Sequence, residues 1–190
     1  MNTISIVDKQ TALLQAMKQQ NYQRFFEGDK DDALDTISDA MNSFVEYQNS
    51  VINMAIMQPL LYARYEGEEL RDRVMNLDQT RRFKHESAIA SSNMLNRICN
   101  AYGVEPFVNI PDGPVEDQRA AVAEFTGTFC QEMYDSKRTR SPKESYEIFQ
   151  EHVNQHKPYE SGQIRSRLDA IDSKYTEESS VPTEDNEISY

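Results

Sequence analysis

Tryptophan is absent from this chain, and 2 Cys, 3 His, 6 Gly and 7 Pro are all that 190 residues contain of four other punctuating types. So little glycine and proline argues against a turn-rich sandwich or barrel, whose many reversals need both, and against collagen-like or Gly-rich material. The two thiols, Cys99 and Cys130, are far apart and form no CxxC pair. Neither a secreted disulfide framework nor a redox motif results, and both are expected reduced and at least half-buried, because free cysteine packs as a small hydrophobe. No run approaches the roughly 18 consecutive apolar residues of a membrane span. The best stretch, VINMAIMQPLLYA from Val51 to Ala63, is interrupted by Asn53, Gln58 and Pro59. MNTISIVDKQ at the start lacks the basic-then-apolar order of a signal peptide, so the expected location is cytoplasmic. Gly-rich phosphate loops and serine elbows are missing too, and no cofactor is expected.

Positive charge is the other shortage. Twenty Lys+Arg face 32 Asp+Glu, a net charge of −12. Nucleic-acid binders neutralise phosphates with Lys and Arg, so direct nucleic-acid binding is not expected, and anionic membrane surfaces are disfavoured for the same reason. A basic protein surface is what this charge would steer towards. Apolar residues make up 38%, under the roughly 45–50% of an average domain, which fits a modest core with solvated helices or a tail.

What remains is helical periodicity. Ile6, Leu13, Leu14 and Met17 share a face between about residues 4 and 20. GDKDD (Gly28 to Asp32) then breaks the chain and offers Asp29 or Asp31 as an N-cap. Ala33, Ile37, Met41, Phe44, Tyr47, Val51 and Ala55 step by three or four, not by two, and predict a helix over 30–64. Pro59 should kink or end it near Met57. A second long helix, over 67–102, is marked by Leu70, Val74, Leu77, Ile89, Leu95 and Ile98, with Gly103 as a left-handed stop. Tyr65-Glu66-Gly67 joins the two as an antiparallel hairpin. Pro114 opens a third pattern with Val122, Phe125, Phe129 and Met133 on one face, and Ser141-Pro142-Lys143-Glu144 reads as a capping box before a helix that Pro158 closes. Ile164, Leu168 and Ile171 allow one more short helix. The expected fold is all-α: a single helical domain over 1–156, an add-on segment over 157–176, and a disordered acidic tail over 177–190, where EESSVPTEDNEISY has too little apolar surface to offset its ordering entropy.

The densest polar cluster runs from Asp78 to Arg97. On a helix, Asp78, Arg81, Arg82 and His85 fall within two turns, with Asp78 and Arg82 at i,i+4, and Ser92, Asn93, Asn96 and Arg97 extend the face. Guanidinium forks suit phosphate or carboxylate, and His85 could bond or shuttle a proton, so these residues are candidates for a ligand or partner face, with Arg81, Arg82 and His85 the weak catalytic candidates. The same residues would serve equally as a salt-bridged helix paired to its neighbours. Arg and His at short helical spacing are similar to the pair in helical ribonucleases of prokaryotic toxin and defence systems, although those leave a longer gap than the three residues between Arg81 and His85. His152 and His156, in HVNQH, project from one helix face at i,i+4 and could chelate a divalent metal, but Val153 stands where a zinc protease needs its glutamate. Met41, Met54, Met57, Met75, Met94 and Met133 sit on apolar faces and fit core packing, or an adaptable groove.

The segment DQTRRFKHESAIASSNMLNRICNAYGVEPF, Asp78 to Phe107, resembles an uncharacterised family of small helical proteins from Gram-positive bacteria, their phages and conjugative elements. The likeness lies in R-R-x-x-H-x-x-A-I, then L-N-R-I-C and Y-G. It implies a bacterial or mobile-element context and carries no activity. The functional expectation is therefore a non-enzymatic protein-binding or regulatory protein, one form of which is an acidic inhibitor of a nucleic-acid-handling enzyme. The alternatives are a nuclease-like or phosphate-directed enzyme using Arg81, Arg82 and His85, and a bundle stabilised by metal at His152 and His156.

Overall fold

The computed structural model describes residues 5–134 and 163–180. All regular structure among them is helical: α1 (Ile6–Gln20), a short 3-10 turn (Tyr22–Arg24), α2 (Lys30–Arg64), α3 (Gly67–Ala101), α4 (Val115–Tyr134) and α5 (Gln163–Ser180). The predicted helix over 142–158, with His152 and His156, lies outside the described residues.

Local chemistry fixes the boundaries. Ser5 caps α1, its hydroxyl accepting from the Asp8 N–H at 3.1 Å. Asn21, with φ of 115°, ends α1 and is the one non-glycine residue with positive φ among the described residues. Asp29 caps α2 in a reciprocal box: the Asp32 N–H donates to Asp29 at 3.0 Å and the Asp29 N–H to Asp32 at 3.2 Å. A side chain at Gly28 would bring a Cβ within 2.1 Å of the Asp32 carboxylate, so the box requires glycine there. At the far end of α3, Gly103 takes φ of +70° and the Val104 N–H reaches back to the Cys99 carbonyl at 3.0 Å, the six-to-one closure of a glycine stop.

The 30–64 span is found as predicted, and one of the two effects expected of Pro59 is not realised. Pro59 does not end α2, which continues to Arg64. Proline removes a single N–H, and residues 55 and 59 are both exposed, so water can take the Ala55 carbonyl while α3 supports the helix from its other side. A second departure concerns the tail expected to be disordered from residue 177: the α5 backbone stays helical to Ser180. Once a helix is nucleated, each added residue gains a hydrogen bond at little cost, and glutamates at 177 and 178 are good helix formers.

Helices α2 and α3, of 35 residues each and so about 52 Å long, pack closely as an antiparallel hairpin. Only half of the hairpin is clothed. The first half of α2, with Ala33, Ile37, Met41, Phe44 and Val45, and the last third of α3, with Leu95, Ile98 and Cys99, join α1, α4 and α5 in one core. Phe44 meets Phe125 and Phe129 of α4 with ring centroids 5.0 and 5.2 Å apart. Gln10 is the odd member of this core. It fills the gap in the apolar face of α1, and its amide donates to the sulfurs of Met41 and Met133 at 3.3 and 3.6 Å. Between Asn53 and Ser87, by contrast, Leu61 is the one buried side chain among the described residues. The distal hairpin is an arm.

Candidate functional site

The polar face predicted from the sequence lies along α3 where the clothed body meets the arm. Asp78 binds both guanidinium groups, accepting from Arg81 at 2.8 Å and from Arg82 at 2.8 Å. These are i,i+3 and i,i+4 pairs, so helical spacing alone brings them together. The Arg81 hydrogen bond, followed by the charge of Arg82, holds the Asp78 carboxyl below its ordinary value. Arg81 also lies against the hydroxyl of Tyr47 on α2. Arg82 points outward with 73% of its side chain exposed.

His85 is held from two sides. Its ring stacks on Tyr47, centroids 4.4 Å apart and planes 9° from parallel, and Nε2 lies 3.0 Å from the Arg119 carbonyl oxygen of α4. Burial is the main reason its pKa falls below 6.5, outweighing the carbonyl and Glu86, which act the other way. The imidazole is therefore neutral at pH 7, and with Nε2 carrying the proton it donates to that carbonyl. Around it, Glu86 pairs with Arg119 at 2.9 Å and Lys84 with Glu46 at 2.9 Å. His85 thus sits inside a junction of α2, α3 and α4.

The remaining candidates are elsewhere. Asn96 faces the loop after α3: its Nδ2 donates to the Val108 carbonyl at 2.8 Å, and the Val108 N–H donates to its Oδ1 at 3.0 Å. Ser92 is buried and returns its hydroxyl to the Ala88 carbonyl at 2.8 Å. Asn93 and Arg97 are exposed. Arg97 lies nineteen helical steps beyond Asp78, about 28 Å, so the predicted face is several small sites and not one pocket. Tyr47 and Arg119 were not singled out as site residues, because their partners are 34 or more residues away and only the packing of three helices joins them. The periodicity that placed Tyr47 on the α2 face was the one signal available.

The arm carries what the junction does not. Four of the six large apolar side chains left exposed among the described residues are on it: Leu60 (52%), Tyr62 (60%), Met75 (46%) and Phe83 (68%). Leu60 and Tyr62, two residues apart, diverge by about 200° around α2, so the arm is apolar on both flanks. A shallow groove of about 270 Å³ runs along it, lined by Met57, Leu61, Arg73, Asn76, Leu77 and Thr80. At the tip Arg73 lies over the Tyr65 ring, 4.1 Å from its centroid, and stiffens the turn. Six Lys/Arg and five Asp/Glu lie between Asn53 and Lys84, so the surplus of negative charge belongs to the rest of the chain. Cys99 and Cys130 are free and buried, as expected. Burial pushes the Cys99 thiol up to about 11 and the Cys130 thiol higher still. Among the described residues no group of three His, Cys, Asp or Glu side chains is placed to hold a metal, and no helix is long and apolar enough to cross a membrane.

Hairpin, body and arm together define an all-α protein built on two long antiparallel helices. Residues 4–139 match the family described as protein of unknown function DUF3232, and the chain belongs to that family. The match extends well beyond the Asp78 to Phe107 segment that carried the resemblance. No curated protein and no solved structure matches the chain.

Proposed function

We propose that this chain is a protein-binding protein without catalysis of its own, which inserts its hairpin arm into a partner while its acidic body steers towards basic surface nearby. The observation that carries this reading is the pairing of opposites along α3. Arg81, His85 and Asn96, polar groups that could do chemistry, are engaged by other elements of the fold, whereas large apolar groups that could be buried are left in water. Exposed apolar surface on a rigid, near-neutral projection is what a protein interface uses, and clustered aromatic and Met side chains are common at such contacts. The net charge of −12 would raise the rate of encounter with a basic protein and make it salt-sensitive. A bacterial or mobile-element setting, inside the cytoplasm, and an inhibitor of a nucleic-acid-handling enzyme are the specific form of the proposal.

The test is comparative capture. The wild-type chain and the double variant Tyr62→Ser/Phe83→Ser are immobilised and exposed to bacterial lysate at low and high salt. A basic protein retained by wild type, lost with salt and lost with the variant supports the reading, and that protein's enzymatic assay then tests inhibition. Identical retention on both chains, or none at low salt, refutes it. Nucleic-acid cleavage that disappears in Arg81→Ala and His85→Ala would replace it with the enzymatic alternative.

A further inference from the structure

We infer that the groove between α1 and the first turns of α2 is a binding site for an amphipathic helix, and that α5 is its releasable occupant in cis. The family match ends at residue 139, so α1 and α2 belong to the shared unit while α5, starting at Gln163, does not. Yet α5 packs on both α1 and α2 and inserts Ile164 and Leu168 completely into their core, with Ile171 partly buried one turn on. Positions i, i+4 and i+7 are the anchor spacing of a helix lying in a groove.

Charge gives the seat its polarity. The start of α2 is acidic, and Arg165 donates to the Asp31 carboxylate at 3.0 Å, to the Asp31 carbonyl at 3.2 Å and to the Asp35 carboxylate. Lys30 pairs with Asp172 at the other end of the contact. Arg165 is badly placed for its own helix, since a cation in the first turn opposes the helix dipole and α5 has no acidic residue there. Within α5 it has Asp169 at 3.0 Å. The rest of its neutralisation comes from α2, so its position suits the groove and not the helix that carries it.

The seat is also weakly held. The Asp31 and Asp35 side chains are 79% and 64% exposed, which leaves those pairs screened by salt, and among the side chains described on α5 only Ile164, Leu168 and the Lys30-paired Asp172 are buried, a small return for the entropy of ordering a helix. Residues 135–162 tether α5, so in cis it competes at high effective concentration, and a helix arriving in trans sees only the fraction of chains whose groove is open. The occupant this surface selects is a partner protein's helix with Ile or Leu at i, i+4 and i+7 and an Arg after the first. This surface is separate from the arm, and its test does not depend on what the arm binds.

A labelled peptide of residues 163–180 is titrated into the full-length chain and into full-length Arg165→Glu, with fluorescence anisotropy as the readout. Arg165 lies at the edge of the contact with 27% of its side chain exposed, and an unchanged circular dichroism spectrum checks that the variant keeps its fold, while its own α5 now meets Asp31 and Asp35 with like charge. The variant should take up the peptide at least about tenfold more tightly than wild type, and raised salt should weaken that uptake. In wild type, amide exchange in α5 should be faster than in residues 33–45 of α2 and should accelerate with salt. Equal peptide affinity in the two chains, or α5 amides as protected as those of the core, overturns the inference. A wild-type dimer that dissociates in Arg165→Glu overturns the partner assignment by making a second copy the occupant.

Discussion

Asn96 separates scaffold from site most sharply. A side chain waiting for a ligand could be removed at little cost in stability, whereas here Asn96 satisfies both backbone groups of Val108. Val108 and its neighbour Phe107 are fully buried, so the loop between α3 and α4 is anchored to α3 at this point. Asn96→Ala leaves one N–H and one carbonyl without partners in a largely dry setting. At roughly 1–3 kcal/mol for each orphaned group the loss is roughly 2–6 kcal/mol, a large part of an ordinary domain's stability. For a chain of this size that is a fall of at least about 4 °C in Tm. Asn96→Asp adds a signature in pH. Ionised, it still accepts from the Val108 N–H but turns its second oxygen on the Val108 carbonyl, so its folded-state pKa rises above the usual value of about 3.9. Its deficit relative to wild type is then full above that raised pKa and shrinks as pH falls through it, because the protonated acid can donate to the carbonyl. Urea and thermal unfolding followed by circular dichroism at 222 nm measure both effects. If Asn96→Ala lies within about 0.5 kcal/mol of wild type, the anchoring argument is wrong and the residue returns to the list of ligand candidates.

Other expectations follow from the same geometry. His85 has a folded pKa below 6.5, so as pH drops past 6.5 the unfolded chain binds a proton that the folded one resists; stability declines and levels off below the folded pKa. His85→Gln should lack that component, and parallel urea midpoints for both chains from pH 7.5 to 5 would contradict it. Gly28→Ala should cost about 1 kcal/mol, as loss of the α2 cap does, and should add little when Asp29→Ala has already broken the box; a thermal melt unchanged from wild type would count against the steric argument. Neither thiol should react with a disulfide reagent at pH 8 until the chain unfolds, and rapid modification of one equivalent in the native state would show that Cys99 or Cys130 is reachable.

The junction and the arm belong to the same two helices, which is why they are easily confused in a linear reading. Arg81, Arg82 and His85 look active because they are polar and close together, yet Arg81 and His85 are met from other helices, by Tyr47 and by the Arg119 carbonyl. Phe83 and Met75 look like core because they are apolar, yet no third helix among the described residues covers them. Pairing of an ion or burial of a ring needs a second surface, and each surface is supplied by packing.

Local rules were enough to place the elements. Three- and four-residue spacing, the Asp29 cap, the Tyr65-Glu66-Gly67 reversal and the Gly103 stop define α2 and α3 within a residue of their ends, because each acts over one or two turns of chain. Pro59 and the tail mark the limit of such rules: both signals weaken a helix, and neither opposes one already supported by its neighbours. The spent or free state of each polar group, the bareness of the arm and the seat of α5 were decided by tertiary structure alone. Those properties depend on atoms brought together from 30 to more than 130 residues apart, and a periodic pattern states which face of a helix is apolar but not what will cover it.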